Sequence, residues 1–274
     1  EDAVALSRLD NPSAKTRLFS IDTVGGSESS LISSVPAMTL LLQQFQGRIF
    51  CLDLRFSSSG ETLKAISSTA CSNPRLKVDA LKILFGASSS KPDCLSAVAD
   101  MIRSVSPKRL FIHGLAARSN GLEQLLNACP NGCQVLELTN CSLSDDEVDA
   151  LIRFIDSSRF LQSLTITKCS SRPIARIVDI AHHAFRNSSI STLDLSDNRM
   201  PASLVHAIAQ QLIQVGEAQT IRLKFLLLDQ NIISDEEACE ALGFICAAFV
   251  PKISLQACRI SNVEFAAFGA GMTR

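Results

Sequence analysis

Leu193-Asp194-Leu195-Ser196-Asp197-Asn198-Arg199-Met200 decides how this chain folds. Its two leucines flank an aspartate, the period of a strand with one face buried. Asn198 follows three residues after the second leucine. Asn favours turns because its side chain bonds nearby backbone groups. One copy of the pattern is only a strand and a turn.

Other copies make it an architecture. The first apolar position recurs as Leu52, Leu81, Leu110, Leu136, Leu164, Leu193, Leu226 and Ile253, at spacings of 29, 29, 26, 28, 29, 33 and 27 residues. The second recurs as Leu54, Ile83, Ile112, Leu138, Ile166, Leu195, Leu228 and Leu255. Three residues beyond stand Ser57, Gly86, Leu115, Cys141, Cys169, Asn198, Asn231 and Cys258. Phe19, 33 residues before Leu52, marks a degenerate opening copy. Such a period describes stacked units, each burying its apolar face only against its neighbours.

Helices are expected between the strands. Ser144-Asp145-Asp146-Glu147 is a capping box ahead of Val148, Leu151, Ile152 and Ile155 at helical spacing. Ser234 to Glu237 and Ser261 to Glu264 repeat the device, and Pro173 and Pro201 suit first helical positions. Nearer the start, Ala3 to Leu9 reads as a helix end stopped at Asn11-Pro12. Phe19-Ser20-Ile21 alternates like a strand, Val24 to Ser30 has loop composition, and Pro36 to Gln46 reads as a helix capped by Gly47. Residues 1–47 are thus an N-terminal segment with a degenerate repeat and a helix. Residues 48–274 are an array of about eight repeats.

The stretches Leu136 to Leu143, Leu193 to Met200, Leu226 to Ile233 and Ile253 to Ile260 resemble the ribonuclease-inhibitor-like, cysteine-containing class of leucine-rich repeats. Asn or Cys is that class's turn residue, and the last five repeats have one. The resemblance implies an α/β solenoid, a horseshoe with a concave parallel β-sheet and convex helices. It also implies a protein-binding scaffold. The same class includes GTPase-activating proteins for Ran, the alternative function. For that, Arg172 and Arg199 would be the candidate arginines.

Composition narrows the function classes. Lys+Arg is 26 against Asp+Glu 27, so no basic excess draws the chain to nucleic acid. No apolar run reaches about 18 residues, so no membrane-spanning helix is expected. Trp and Tyr are absent but Phe is 14, so aromatic anchors would be Phe. The ten cysteines lack C-x-x-C spacing and several fall at the repeat turn. They read as reduced thiols of a cytoplasmic chain, with a nuclear or cytoskeleton-associated location open. The chain begins at Glu1, not Met, and is expected to be an excised piece or a processed product.

Chemistry-bearing motifs are sparse. No phosphate loop, nucleophile elbow or H-E-x-x-H occurs, so no catalytic residue, metal or cofactor is expected. His182 and His183 are helical neighbours about 100° apart, poorly placed to share a metal. Cys129 and Cys133 flank Pro130-Asn131-Gly132, either a plain loop or a redox pair or metal clip.

Strand residues between the apolar positions should face away from the helices. This yields Phe56, Leu84, Phe85, Arg109 and Phe111 as one group, and Glu137, Asp194, Asp197 and Asp229 as another. The first either captures a partner, or packs on a neighbouring segment or is partly buried in irregular repeats. The second either receives a basic partner or is simply solvated. The extra length of the 33-residue repeat falls at Gln214 to Gln219 and reads as a polar loop. The functional expectation is a non-catalytic scaffold or adaptor that binds a protein on its concave face. Self-association through the array ends is a second mode.

Overall fold

The computed structural model describes residues 17–22, 42–43, 48–56, 60–85, 92–116, 121–171 and 175–273. In chain order the elements are β1 (Arg17–Asp22), β2 (Arg48–Phe56), α1 (Gly60–Ser72), β3 (Lys77–Phe85), α2 (Pro92–Val105), β4 (Arg109–His113), α3 (Gly121–Ala128) and β5 (Val135–Thr139). Then come β6 (Ser142–Leu143), α4 (Asp145–Ser157), β7 (Ser163–Thr167), β8 (Ser170–Ser171), α5 (Arg176–Arg186) and β9 (Thr192–Asp194). The last are α6 (Ala202–Ala218), β10 (Phe225–Leu227), α7 (Glu236–Ala248), β11 (Lys252–Ser254) and α8 (Asn262–Met272). The chain divides into two compact units, Glu1–Leu136 and Glu137–Arg274.

In the first unit the strand order is β1-β2-β3-β4, every pair parallel. Parallel neighbours need a crossover, which the helices supply. Leu52, Leu81 and Leu110 stand in one row across the strands, and Leu54, Ile83 and Ile112 in the next. All six are at most 1% exposed. Phe19 pairs with Leu52, so the opening copy is in register with the array.

In the second unit the order is β5-β7-β9-β10-β11. Leu164, Leu193, Leu226 and Ile253 form its row. The first three are fully buried, and each such leucine contributes about 1.5–3 kcal/mol over an exposed one. The short β6 and β8 pair separately, just past the turns.

Those turns share one backbone device. Asn140, Lys168, Asp197, Gln230 and Ala257 all have positive φ, between 53° and 59°. Each immediately precedes the Cys or Asn of its repeat. Gly114, φ 76°, holds the equivalent place before Leu115.

The Asn and Cys side chains then tie one repeat to the next. Asn198 Nδ2 donates to the Ile166 carbonyl (2.6 Å) and the Leu195 carbonyl (2.9 Å), while its Oδ1 accepts from Cys169 N (2.9 Å). Asn231 repeats this with Leu195 (3.1 Å), Leu228 (2.9 Å) and Met200 N (3.1 Å). A thiol supplies only the donor half. Cys169 Sγ donates to Leu138 (3.5 Å) and Cys258 Sγ to Leu228 (3.1 Å).

The helix starts follow the sequence with two shifts of one residue. Ser144 and Glu147 form the expected capping box. Glu264 accepts from Ser261 N at 2.5 Å. In α7, however, Asp235 rather than Ser234 is the cap, its Oδ1 accepting from Glu237 N. Pro201 is itself the N-cap, and α6 starts at Ala202. The helix over Pro36 to Gln46 and the Pro173 start fall outside the described residues, apart from Leu42 and Gln43, which are helical. The Gln214 to Gln219 loop is a correction. α6 runs through Ala218, 17 residues long, so most of the extra length is about one more helical turn. Gln, Val, Glu and Ala tolerate a helix, and Val215 is buried.

Candidate functional site

The strand face away from the helices follows from period-two burial. In β4 the pattern alternates half-buried and buried from Arg109 to His113. Arg109, Phe111 and His113 therefore share the open face. Register places Phe111 beside Lys82, and His113 beside Leu84. Leu84 is half-buried and Lys82 exposed.

Phe85 departs from the expected site. It is 4% exposed and belongs to the core. The cause is parity: Leu81, Ile83 and Phe85 are two apart and point one way, while Lys82 and Leu84 point the other. Phe56 pairs with Phe85 in register, and its side chain lies outside the described part of the molecule. The open face of the first unit thus presents Leu84, Arg109 and Phe111, but not Phe85.

The acidic residues lie on the second unit, each tied to a neighbour. Glu137 accepts from Thr139 Oγ1 at 3.1 Å. Asp194 Oδ1 accepts from Ser196 N at 2.9 Å. Asp197, in a left-handed turn position, pairs with Lys168 at 3.5 Å. Asp229 Oδ1 accepts from Ser254 Oγ (2.6 Å) and Gln256 N (2.7 Å). All four remain half-buried. They hold turns together and still present charge at the surface.

Two further features escaped the sequence reading. On the helix side of the second unit is a groove of about 370 Å³ lined by Asp149, Arg176, Asp179, His182, His183 and Gln211, among others. Arg176 spans it, bonding Asp149 at 2.5 Å, Asp179 at 2.7 Å and Asp145 at 3.4 Å. The Asp149 hydrogen bond, foremost, holds the guanidinium pKa above its ordinary value. The groove wall therefore carries an internal ion-pair network. The cue in the sequence was the Arg176–Asp179 spacing.

The second feature is α8. Val263 (58%), Phe265 (71%) and Met272 (48%) are exposed there. Its cue was a helix apolar all round, a pattern usually found in buried helices.

Among the described residues no group of three or more His, Cys, Asp or Glu side chains is placed to hold a metal ion. His183 Nδ1 lies 2.8 Å from Asp156. Arg199 is exposed with a positive φ of 54°, and Arg172 lies outside the described residues. Among those residues no helix is long and apolar enough to cross a membrane.

No protein-family model matches the chain, and no curated protein matches its sequence. Among solved structures it is similar to the leucine-rich repeat-containing protein LegL7 from Legionella pneumophila. The TM-score is 0.52 and the identity 17%, over 94% of this chain and 81% of that one. The fold is a leucine-rich-repeat solenoid. A chain in the Rad7 and Elc1 complex of yeast is more weakly similar, with TM-score 0.48 and 14% identity over 91% and 69% of the two chains. That likeness adds nothing to the assignment. The leucine-rich repeats explain the uniform strand rows and the Asn and Cys turns.

Proposed function

We propose that this leucine-rich-repeat chain is a non-catalytic scaffold or adaptor that captures a protein through the open face of its strands. The observation that carries this is the placement of Leu84 and Phe111, large apolar side chains, on the open face of the first unit. Arg109 shares that face and is the second kind of residue that dominates interfaces. The strands beneath are buried and regular, so binding requires little ordering of the receptor. Glu137, Asp194, Asp197 and Asp229 favour a partner with basic residues opposite the second unit. The ten free thiols favour a reducing compartment such as the cytoplasm.

The test is affinity capture from the native cell, quantified by mass spectrometry, with wild type and a Leu84→Asp, Phe111→Asp double variant side by side. The reading expects a defined protein bound by wild type and lost from a variant whose circular dichroism is unchanged. Equal capture by the folded double variant removes this face from consideration.

Self-association is a second reading, favoured by the exposed face of α8. A second copy covering Val263, Phe265 and Met272 would remove that surface from water. Sedimentation over a range of concentrations, with Phe265→Asp as the control, decides it. A monomer at every concentration discards it.

A further inference from the structure

Inside α8 sits a glycine that nothing in the chain requires. Glycine within a helix costs stability, because it has the most backbone freedom to lose. Gly243 and Gly271 are accounted for, since a Cβ on either would run into a carbonyl oxygen of the facing helix. Gly269 is different. It is exposed, its φ is not left-handed, and a Cβ there would meet nothing within 4 Å. It leaves a pit in the surface. One turn earlier stands Phe265, 71% exposed. Residues four apart on a helix share a face, so knob and pit look the same way.

The rest of α8 divides cleanly. Glu264, Ala267, Phe268 and Gly271 are buried or half-buried, and lie on one side at helical spacing. Every other residue from Asn262 to Met272 is exposed, and none of those carries a charge. The helix's single charge, Glu264, is committed to the Ser261 cap. The strand and turn of the same repeat are also open. Ile253, Leu255 and Ile260 are half-buried, whereas Leu226, Leu228 and Ile233, their counterparts one repeat earlier, are fully buried.

We propose that α8 pairs antiparallel with the α8 of a second copy about a two-fold axis, with Phe265 of each copy seated on Gly269 of the partner subunit. The proposal rests on the self-association reading above and assigns its geometry. A two-fold interface must be self-complementary, residue i meeting j while j meets i. A knob and a pit one turn apart on one helix satisfy that condition with no other surface supplied. The absence of charge on this face fits a second copy as well. Like charges brought together by the two-fold would oppose pairing, and there are none here. The area sets the strength. A standard interface takes about 800 Å² from each partner, and half the surface of one short helix does not reach that. The open Ile253, Leu255 and Ile260 add to it, so the dimer lies at the weak, concentration-dependent end of the range.

The experiment is sedimentation velocity of the full chain over a wide range of concentrations, with two variants. Wild type should pass from monomer to dimer and stop there, because a two-fold contact closes on itself. Phe265→Asp should remain monomeric. Gly269→Leu separates a shaped contact from a merely sticky one. It adds apolar surface, meets no neighbour in its own chain, and replaces glycine by a better helix former, so its circular dichroism should match wild type. Filling the pit should still weaken dimerisation by about tenfold or more, the loss expected when an extra side chain is forced into a packed contact. A Gly269→Leu chain that dimerises as well as wild type overturns this geometry and leaves self-association through α8 standing. Larger species in wild type overturn it too, since they require head-to-tail contacts. A dimer that survives Phe265→Asp overturns both the geometry and the α8 reading. A monomer at every concentration does the same, and leaves the α8 face to a different protein.

Discussion

Asn198 and Asn231 sit at the same turn of adjacent repeats, and the Oδ1 of Asn231 accepts the backbone N–H of Asn198 at 3.3 Å. Each amide thereby fixes its own turn and caps the one before it. Both are at most 5% exposed, so the carbonyls they reach have no water to fall back on. Asn198→Ala would strand the Ile166 carbonyl and the Cys169 amide, and leave the Leu195 carbonyl to Asn231 alone. We expect a loss of about 2–4 kcal/mol, read as a lower urea midpoint. Asn198→Cys should lose less, because Cys169 and Cys258 show that a thiol keeps one donor bond to the preceding repeat. Equal losses for the two variants would show that the amide's acceptor half carries the effect.

The left-handed turn position gives a prediction of opposite signs. Gly114 has φ 76°, and a Cβ there would lie 2.5 Å from the Phe85 carbonyl oxygen. Backbone cannot step aside cheaply, so Gly114→Ala should destabilise by about 1–3 kcal/mol. Ala257 holds the same place at φ 57° with a side chain present. Ala257→Gly relieves that strain at the expense of a more flexible unfolded chain. It should fall between neutral and about 1 kcal/mol stabilising. Thermal unfolding of the two variants under one buffer is sufficient.

What was legible in the sequence follows the range of each interaction. Leucine rows were legible, because registering Leu52 with Leu81 and Leu110 needs only a repeat period. Capping at Ser144 was legible because it spans three residues. Phe85 was misplaced although parity with Leu81 and Ile83 was visible. It was read as a surface aromatic from its type rather than its phase. The acidic group illustrates a harder limit. Asp229 looked available, yet it accepts from Ser254 and Gln256 in the next repeat, and such bonds leave no local pattern. The lengthened repeat failed for a third reason. A turn's worth of residues can extend a helix as easily as a loop, and only packing decides.

Glu147 tests the value of a buried cap. It is fully buried at the third helical position, and its Oε2 accepts from Ser144 N (2.9 Å) and Ser144 Oγ (3.1 Å). Ser144→Ala removes one donor and the acceptor for Glu147 N, and should cost about 1–2 kcal/mol. Glu147→Ala should cost more, since it also empties the space of a fully buried side chain. Chemical denaturation ranks the two, and the reverse order would mean that the cap outweighs the packing.

The second capping box predicts a pH dependence. Hydrogen bonding from the Ser261 backbone, foremost, holds the Glu264 pKa below the ordinary carboxylate value. A depressed folded-state pKa means that the unfolded chain takes up the proton first as pH falls. The stabilisation from this carboxylate is therefore complete above the unfolded pKa. It is lost as pH falls through the lowered folded value. Glu264→Gln removes the titrating group. The stability gap between wild type and variant should be open at neutral pH and narrow steadily through the acidic carboxylate range. Urea midpoints of both proteins across that range measure it. A gap that stays constant with pH would assign the difference to amide geometry rather than charge.

The α7–α8 contact sets the last prediction. A Cβ on Gly243 would clash with the Phe268 carbonyl oxygen, and one on Gly271 with the Glu240 carbonyl oxygen. The two helices thus approach backbone to backbone, at positions where any larger residue must push them apart. Most of α8 is otherwise exposed, so this contact is its main attachment. Gly243→Ala should loosen α8 first and leave the buried strands β9 and β10 in place. Hydrogen exchange followed by mass spectrometry should show faster exchange over residues 262–272, with protection unchanged over residues 192–195. Uniform loss of protection across the second unit would instead mean that α8 is integral to the stability of the repeats beneath it.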